Sequence, residues 1–173
     1  MKKWIGALCS ALAGVLTLVF LAVPAFIQEI PGLPVQKASG WKLLTDSDWG
    51  KSDFTAVTWY RIFAWILVVL AIVMIVVAVL QVLANLKIVK MPGILNTVAN
   101  YALIGLVVVS ILALVANFGI RADVINVYKQ PGMPDSVIKE IKEAFSVGAG
   151  LWIVAVVNLV VAACANVFAK AKK

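Results

Sequence analysis

Residues 62–86 read IFAWILVVLAIVMIVVAVLQVLANL, twenty-five positions between Arg61 and Lys87 without one ionisable side chain. As a helix rising about 1.5 Å per residue this stretch is about 37 Å long, against a hydrocarbon layer of about 30 Å. Lipid offers the backbone no hydrogen-bond partners, so so apolar a segment must satisfy its own N–H and C=O groups, which a helix does. The stretch therefore reads as a membrane span, and the chain repeats it. Further uncharged runs extend from Trp4 to Gln28, from Met91 to Ile120 and from Ala144 to Ala169. The expected fold is an all-α membrane protein, a four-transmembrane-helix bundle in one membrane domain over residues 1–173, with spans at about 4–27, 60–84, 95–120 and 144–168. Outer loops 28–59 and 121–143 are expected to form a small cap, partly β and partly short helix.

Composition agrees. Hydrophobic residues make up 64% and charged residues 13% of the 173 positions, where a soluble domain has about 45–50% and about 25%. There are two cysteines and no histidine, so no ordinary zinc or haem site is expected, and no cofactor. The chain has no Gly-rich phosphate loop, no HExxH and no GxSxG, and no catalytic residue is expected. Proton coupling and voltage sensing need ionisable groups inside the spans; these runs have none.

The opening MKKW resembles the start of a secretory signal, but the apolar run continues to Gln28, beyond the 7–15 residues or so of such a core. It is read as a retained first span with Pro24 near its outer end. In the first loop, residues 35–38 and 41–44 flank Ser39-Gly40 as a hairpin, and Asp46-Ser47-Asp48 offers an N-cap. Trp41, Leu43, Leu44, Trp49 and Phe54 are too apolar for a solvated linker and are the outer-loop candidates for binding a partner. Trp59, Tyr60, Phe63 and Trp65 open the second span as an interfacial aromatic anchor. In the second loop Val124 to Tyr128 has β character and Pro131-Gly132 turns the chain. Asp135-Ser136 then caps a helix with Ile138, Ile141 and Phe145 on one face, which leads into the fourth span.

Sorting the charges orients the chain. Lys2, Lys3, Lys87, Lys90, Lys170, Lys172 and Lys173 share one side with no acid, in short segments. The other side carries eight bases and all eight acids. Both termini are therefore expected in the cytoplasm of a multi-pass protein of the cell membrane, plasma or inner. The net +7 then meets the anionic inner leaflet of the lipid bilayer; no basic face suits nucleic acid.

Helices in lipid associate through small residues and cross-helix hydrogen bonds. Gly6, Ser10 and Gly14 form such a face on the first span. Asn100, Ser110 and Asn117 lie on a seam of the third, 96, 100, 103, 107, 110, 114, 117; Asn158 and Asn166 lie on the fourth and Gln81 on the second. Matching depths predicts Gln81–Asn100 and Ser110–Asn158 as hydrogen-bonded pairs. Cys9 and Cys164 share a depth near the inner side and are expected to be reduced packing residues.

Four spans with both ends inside, a larger tryptophan-bearing first outer loop, a smaller second one and Arg121 at the outer end of the third span together resemble the claudin and peripheral-myelin-protein group. Trp41 and Trp49 stand where that group has its W-GLW-C-C signature, here without GLW or cysteine. The resemblance implies a barrier or adhesion role. Ser39-Gly40-Trp41-Lys42-Leu43-Leu44 after Pro24-Ala25-Phe26 also resembles small bacterial four-span proteins. Two functional readings follow: an interaction or scaffold protein held to its own copies or to a membrane partner, or a subunit of an oligomeric channel or transporter for small neutral or weakly polar solutes.

Overall fold

The decisive stretch lies in a helix that begins before it. In a computed structural model describing residues 2–30, 32, 34–45, 55–90, 93–129 and 131–170, helix α3 runs Thr55–Asn85. Neither Gly nor Pro interrupts it. Val57, Tyr60, Ala64, Leu67, Ala71, Met74, Ala78 and Gln81 recur at helical spacing and are buried. Ile62, Trp65, Val69, Ile72, Val76 and Val79 on the other side are exposed. The helix ends in a Schellman turn, with Ile88 N–H on Leu83 O and Lys87 N–H on Ala84 O, both at 3.0 Å. Lys87 takes the left-handed position, φ 61°, which glycine normally fills and which costs an L residue about 1–2 kcal/mol.

Three other helices stand beside it: α1 (Lys2–Phe20), α4 (Ile94–Tyr128) and α6 (Ala149–Lys170). α1 packs against α3 and α6, and α4 also packs against α3 and α6, so the four close in chain order around one core. Two of them, α3 and α4, are long and apolar enough to cross a membrane. α1 and α6 carry shorter apolar stretches, Trp4–Phe20 and Ala149–Ala165.

The shortening has a local cause. The outer parts of the first and last apolar runs are strands rather than helix: β1 (Pro24–Gln28) and β3 (Phe145–Val147). Pro24 has no N–H to donate to a helix. β1 is the middle strand of a sheet ordered β2–β1–β3, antiparallel throughout, with β2 at Gln36–Ser39. Phe26 faces Ala38 on one side and Val147 on the other. Each strand thus supplies the partners that the neighbouring helix would otherwise have provided. Phe26 and Phe145 stack at 6.1 Å and are buried, so this non-helical backbone is sheltered by protein.

Three loop expectations are corrected. The hairpin around Ser39-Gly40 does not form. Ser39 ends β2 and its Oγ accepts the Lys42 N–H at 3.1 Å, capping helix α2 (Gly40–Thr45). Val124 to Tyr128 is the last turn and a half of α4, because Val124 and Ile125 continue its buried stripe and packing overrides β propensity. Helix α5 (Asp135–Ala144) does not run into α6, since β3 and Gly148 intervene. The Asp46–Asp48 cap, Trp49 and Phe54 lie outside the described residues.

Candidate functional site

A line of neutral polar groups threads the interior from one end of the helices to the other. It starts on α1, where positions 10, 14, 17 and 21 fall on one face and are buried. Ser10 Oγ donates to Gln81 Oε1 of α3 at 3.3 Å. Two turns further, Thr17 gives its single hydroxyl hydrogen to Ala13 O at 2.7 Å, leaving its oxygen to accept Asn158 Nδ2 of α6 at 3.2 Å. Ser110 returns its hydroxyl to Val107 O of its own helix at 2.9 Å. At the sheet end Asn117 Nδ2 donates to Ala25 O at 2.6 Å. Its Oδ1 is buried without a partner.

The predicted pairs Gln81–Asn100 and Ser110–Asn158 are thereby replaced by Gln81–Ser10 and Asn158–Thr17. Equal depth is not enough, because direction around the helix decides the partner. The predicted seam on α4 repeats every 3.5 residues, whereas its buried stripe, through Leu95, Ala99, Ala102, Leu106, Ser110, Ala113, Asn117, Ile120 and Val124, follows the ordinary helical period near 3.6. On the predicted seam Leu103, Ser110, Leu114 and Asn117 are buried, while Asn100 is exposed. Thr17 was missed, although it continues the 3–4 spacing of Ser10 and Gly14.

Gly14 is buried against α3, where an added Cβ would lie 2.6 Å from Ala71 O. Gly6 is exposed beside the Gln81 amide. The Asn166 side chain lies outside the described residues. Cys9 and Cys164 are both free thiols.

The described outer-loop candidates, Trp41, Leu43 and Leu44, turn inward. Leu43 and Leu44 are buried in the main core cluster, and Trp41 Nε1 donates to Leu18 O at 3.2 Å, so these side chains seal the helix ends instead of facing a partner. Tyr60, read as an interfacial ring, is fully buried with its hydroxyl 3.5 Å from Gly40 O. Two arginines fasten the cap to the helices. Arg61 Nε donates to Leu43 O at 3.1 Å, while Arg121 donates to Phe145 O and Lys142 O at 2.6 and 2.7 Å. Arg121, first noticed for its place at the outer end of α4, thus sets where β3 begins.

Chemically these groups can bind helices to each other and little more. None of the residues in the buried line titrates near neutrality. Among the described residues no three His, Cys, Asp or Glu side chains gather in a way that could hold a metal. No family model, curated protein or solved structure matches the chain.

Proposed function

We propose that this is a multi-pass protein of the cell membrane, crossing the bilayer with α1, α3, α4 and α6, both ends on the cytoplasmic side, and acting without catalysis by lateral contact with its own copies or another membrane protein. The observation that carries the reading is the outward face of those helices. Leu8 and Leu12 on α1, Val69 and Val76 on α3, Ile104 and Val115 on α4, and Trp152 and Leu159 on α6 are all exposed. Only 39% and 44% of the most apolar stretches of α3 and α4 are buried, which supports the membrane reading. A belt of this extent suits lipid or protein as its neighbour, not water. The lysine-only end and the mixed-charge cap end supply the orientation.

An interaction role is favoured over a solute path because the interior polar groups are buried against protein. Ser110, Asn117 and Asn158 are fully buried, and Ser10–Gln81 and Thr17–Asn158 bond to each other. A conduction path would need such groups turned to water.

Topology is tested with single cysteines in a Cys9→Ser, Cys164→Ser background. A membrane-impermeant maleimide should modify Lys139→Cys in intact cells and Lys90→Cys only after lysis; equal labelling of both before lysis would refute the orientation. The interaction role is tested by purification in mild detergent after brief cross-linking in the membrane. A discrete oligomer or one recurrent membrane partner is expected, and a lone monomer would refute it.

A further inference from the structure

On the outside of the α1–α3 pair, toward the Lys87 end, lies a groove of about 650 Å³ walled by apolar side chains, among them Trp4, Leu8, Ala11 and Val15 of α1 and Val79 and Leu83 of α3. Its volume is that of a small-molecule site. Its length fits a particular occupant. The eleven steps from Trp4 to Val15, at about 1.5 Å each, make roughly 16 Å, and one leaflet supplies about half of a 30 Å hydrocarbon layer.

One turn beyond Leu83 stands Lys87, exposed and held at φ 61°. The position is the C′ site of a Schellman turn, where glycine would be unstrained. A lysine held here puts a cation four residues past Leu83, the last α3 residue of the groove wall. Lys90 follows in the same connection, Lys2 and Lys3 precede Trp4 in sequence, and no acid occurs in residues 1–28 or 54–120. An apolar slot one leaflet deep, between two segments whose charges near this end are all lysine in sequence, matches a molecule with a hydrocarbon tail and an anionic head.

We propose that this groove is a binding site for one acyl chain of an anionic glycerophospholipid of the inner leaflet, whose phosphate is held at Lys87. The site rests on the membrane reading above, and it makes lipid, not a second copy of the chain, the occupant of this part of the belt.

The test uses the full chain in detergent, titrated with dioleoylphosphatidylglycerol or dioleoylphosphatidylcholine and examined by native mass spectrometry. The wild type should retain one phosphatidylglycerol in preference to phosphatidylcholine by on the order of fivefold, the effect of one lysine at an anionic surface. Lys87→Gln should remove most of that preference while still taking up lipid. Ala11→Phe, which fills the slot, should lose the retained lipid of either kind. Lys87→Gln alters an exposed side chain only, so it remains informative should Ala11→Phe fail to fold. Equal retention of both lipids by the wild type, or undiminished retention by a folded Ala11→Phe, would overturn the site. Release of the wild type from membranes by alkaline carbonate would overturn the membrane reading beneath it; retention there, with lipid uptake unchanged by the variants, would overturn the site alone.

Discussion

Replacing Gly148 by alanine should cost about 3 kcal/mol, the upper end of what overpacking a core usually costs. Gly148 sits between β3 and α6, and its N–H donates to Ala25 O at 2.8 Å. A Cβ there would run into Pro24 O and come within 3.1 Å of the Ala25 carbonyl carbon. Both obstacles are backbone, so no side-chain rotation relieves the overlap. β1 and the start of α6 must move apart, losing the Gly148–Ala25 bond and loosening the pairing of Phe26 with Val147. The helices themselves are untouched, so far-UV circular dichroism should keep its helical amplitude while the unfolding midpoint in detergent falls. An alanine variant as stable as the wild type would show that this junction is not closely packed.

Gly14→Val should be comparably damaging, about 3 kcal/mol, where α1 crosses α3. The valine Cβ would lie 2.6 Å from Ala71 O and 2.7 Å from Ile75 Cγ1. Ile75 can turn aside, but the Ala71 carbonyl belongs to α3 and cannot. α1 must therefore retreat from α3. The neighbouring Ser10–Gln81 bond, already 3.3 Å long, would be stretched past usefulness. In a membrane the consequence is sharper than in water, because separated helices expose no apolar surface to a hostile solvent and have no hydrophobic force drawing them together again. Gly6→Val is the control. Its added Cβ would meet only the Gln81 amide at 3.8 Å and should leave the midpoint within about 0.5 kcal/mol of wild type.

What the amino acids disclosed was mostly local. α3 could be read from its letters alone because nothing in residues 62–86 competes with a helix. Residues 21–28 are equally apolar, and apolarity alone does not distinguish a helix turn from a strand buried on both faces. β1 is a strand because Phe26, Ile27 and Gln28 are paired with residues near the other end of the chain, and no inspection of 24–28 reveals that. The buried polar line was half legible. Ser10, Gln81, Ser110, Asn117 and Asn158 stand out in the sequence as polar residues in apolar runs, and all five are buried, but their partners depend on rotation about each helix axis, which a small error in assumed period displaces. Trp41, Leu43 and Leu44 looked like binding surface because apolar residues in a loop suggest an absent partner. Here that partner is the end of the chain's own helices.

The place of β1 between β2 and β3 carries a consequence for how the protein is made. Pairing with β2 can form as soon as the first forty residues have left the ribosome, but the opposite edge of β1 has no mate until residues 145–147 have been synthesised and brought beside it. Until then an open strand edge faces outward. Completion of the sheet is therefore a late event that registers the arrival of the last helix, and a nascent chain stalled before α6 would display to quality-control proteases the edge that the finished one conceals.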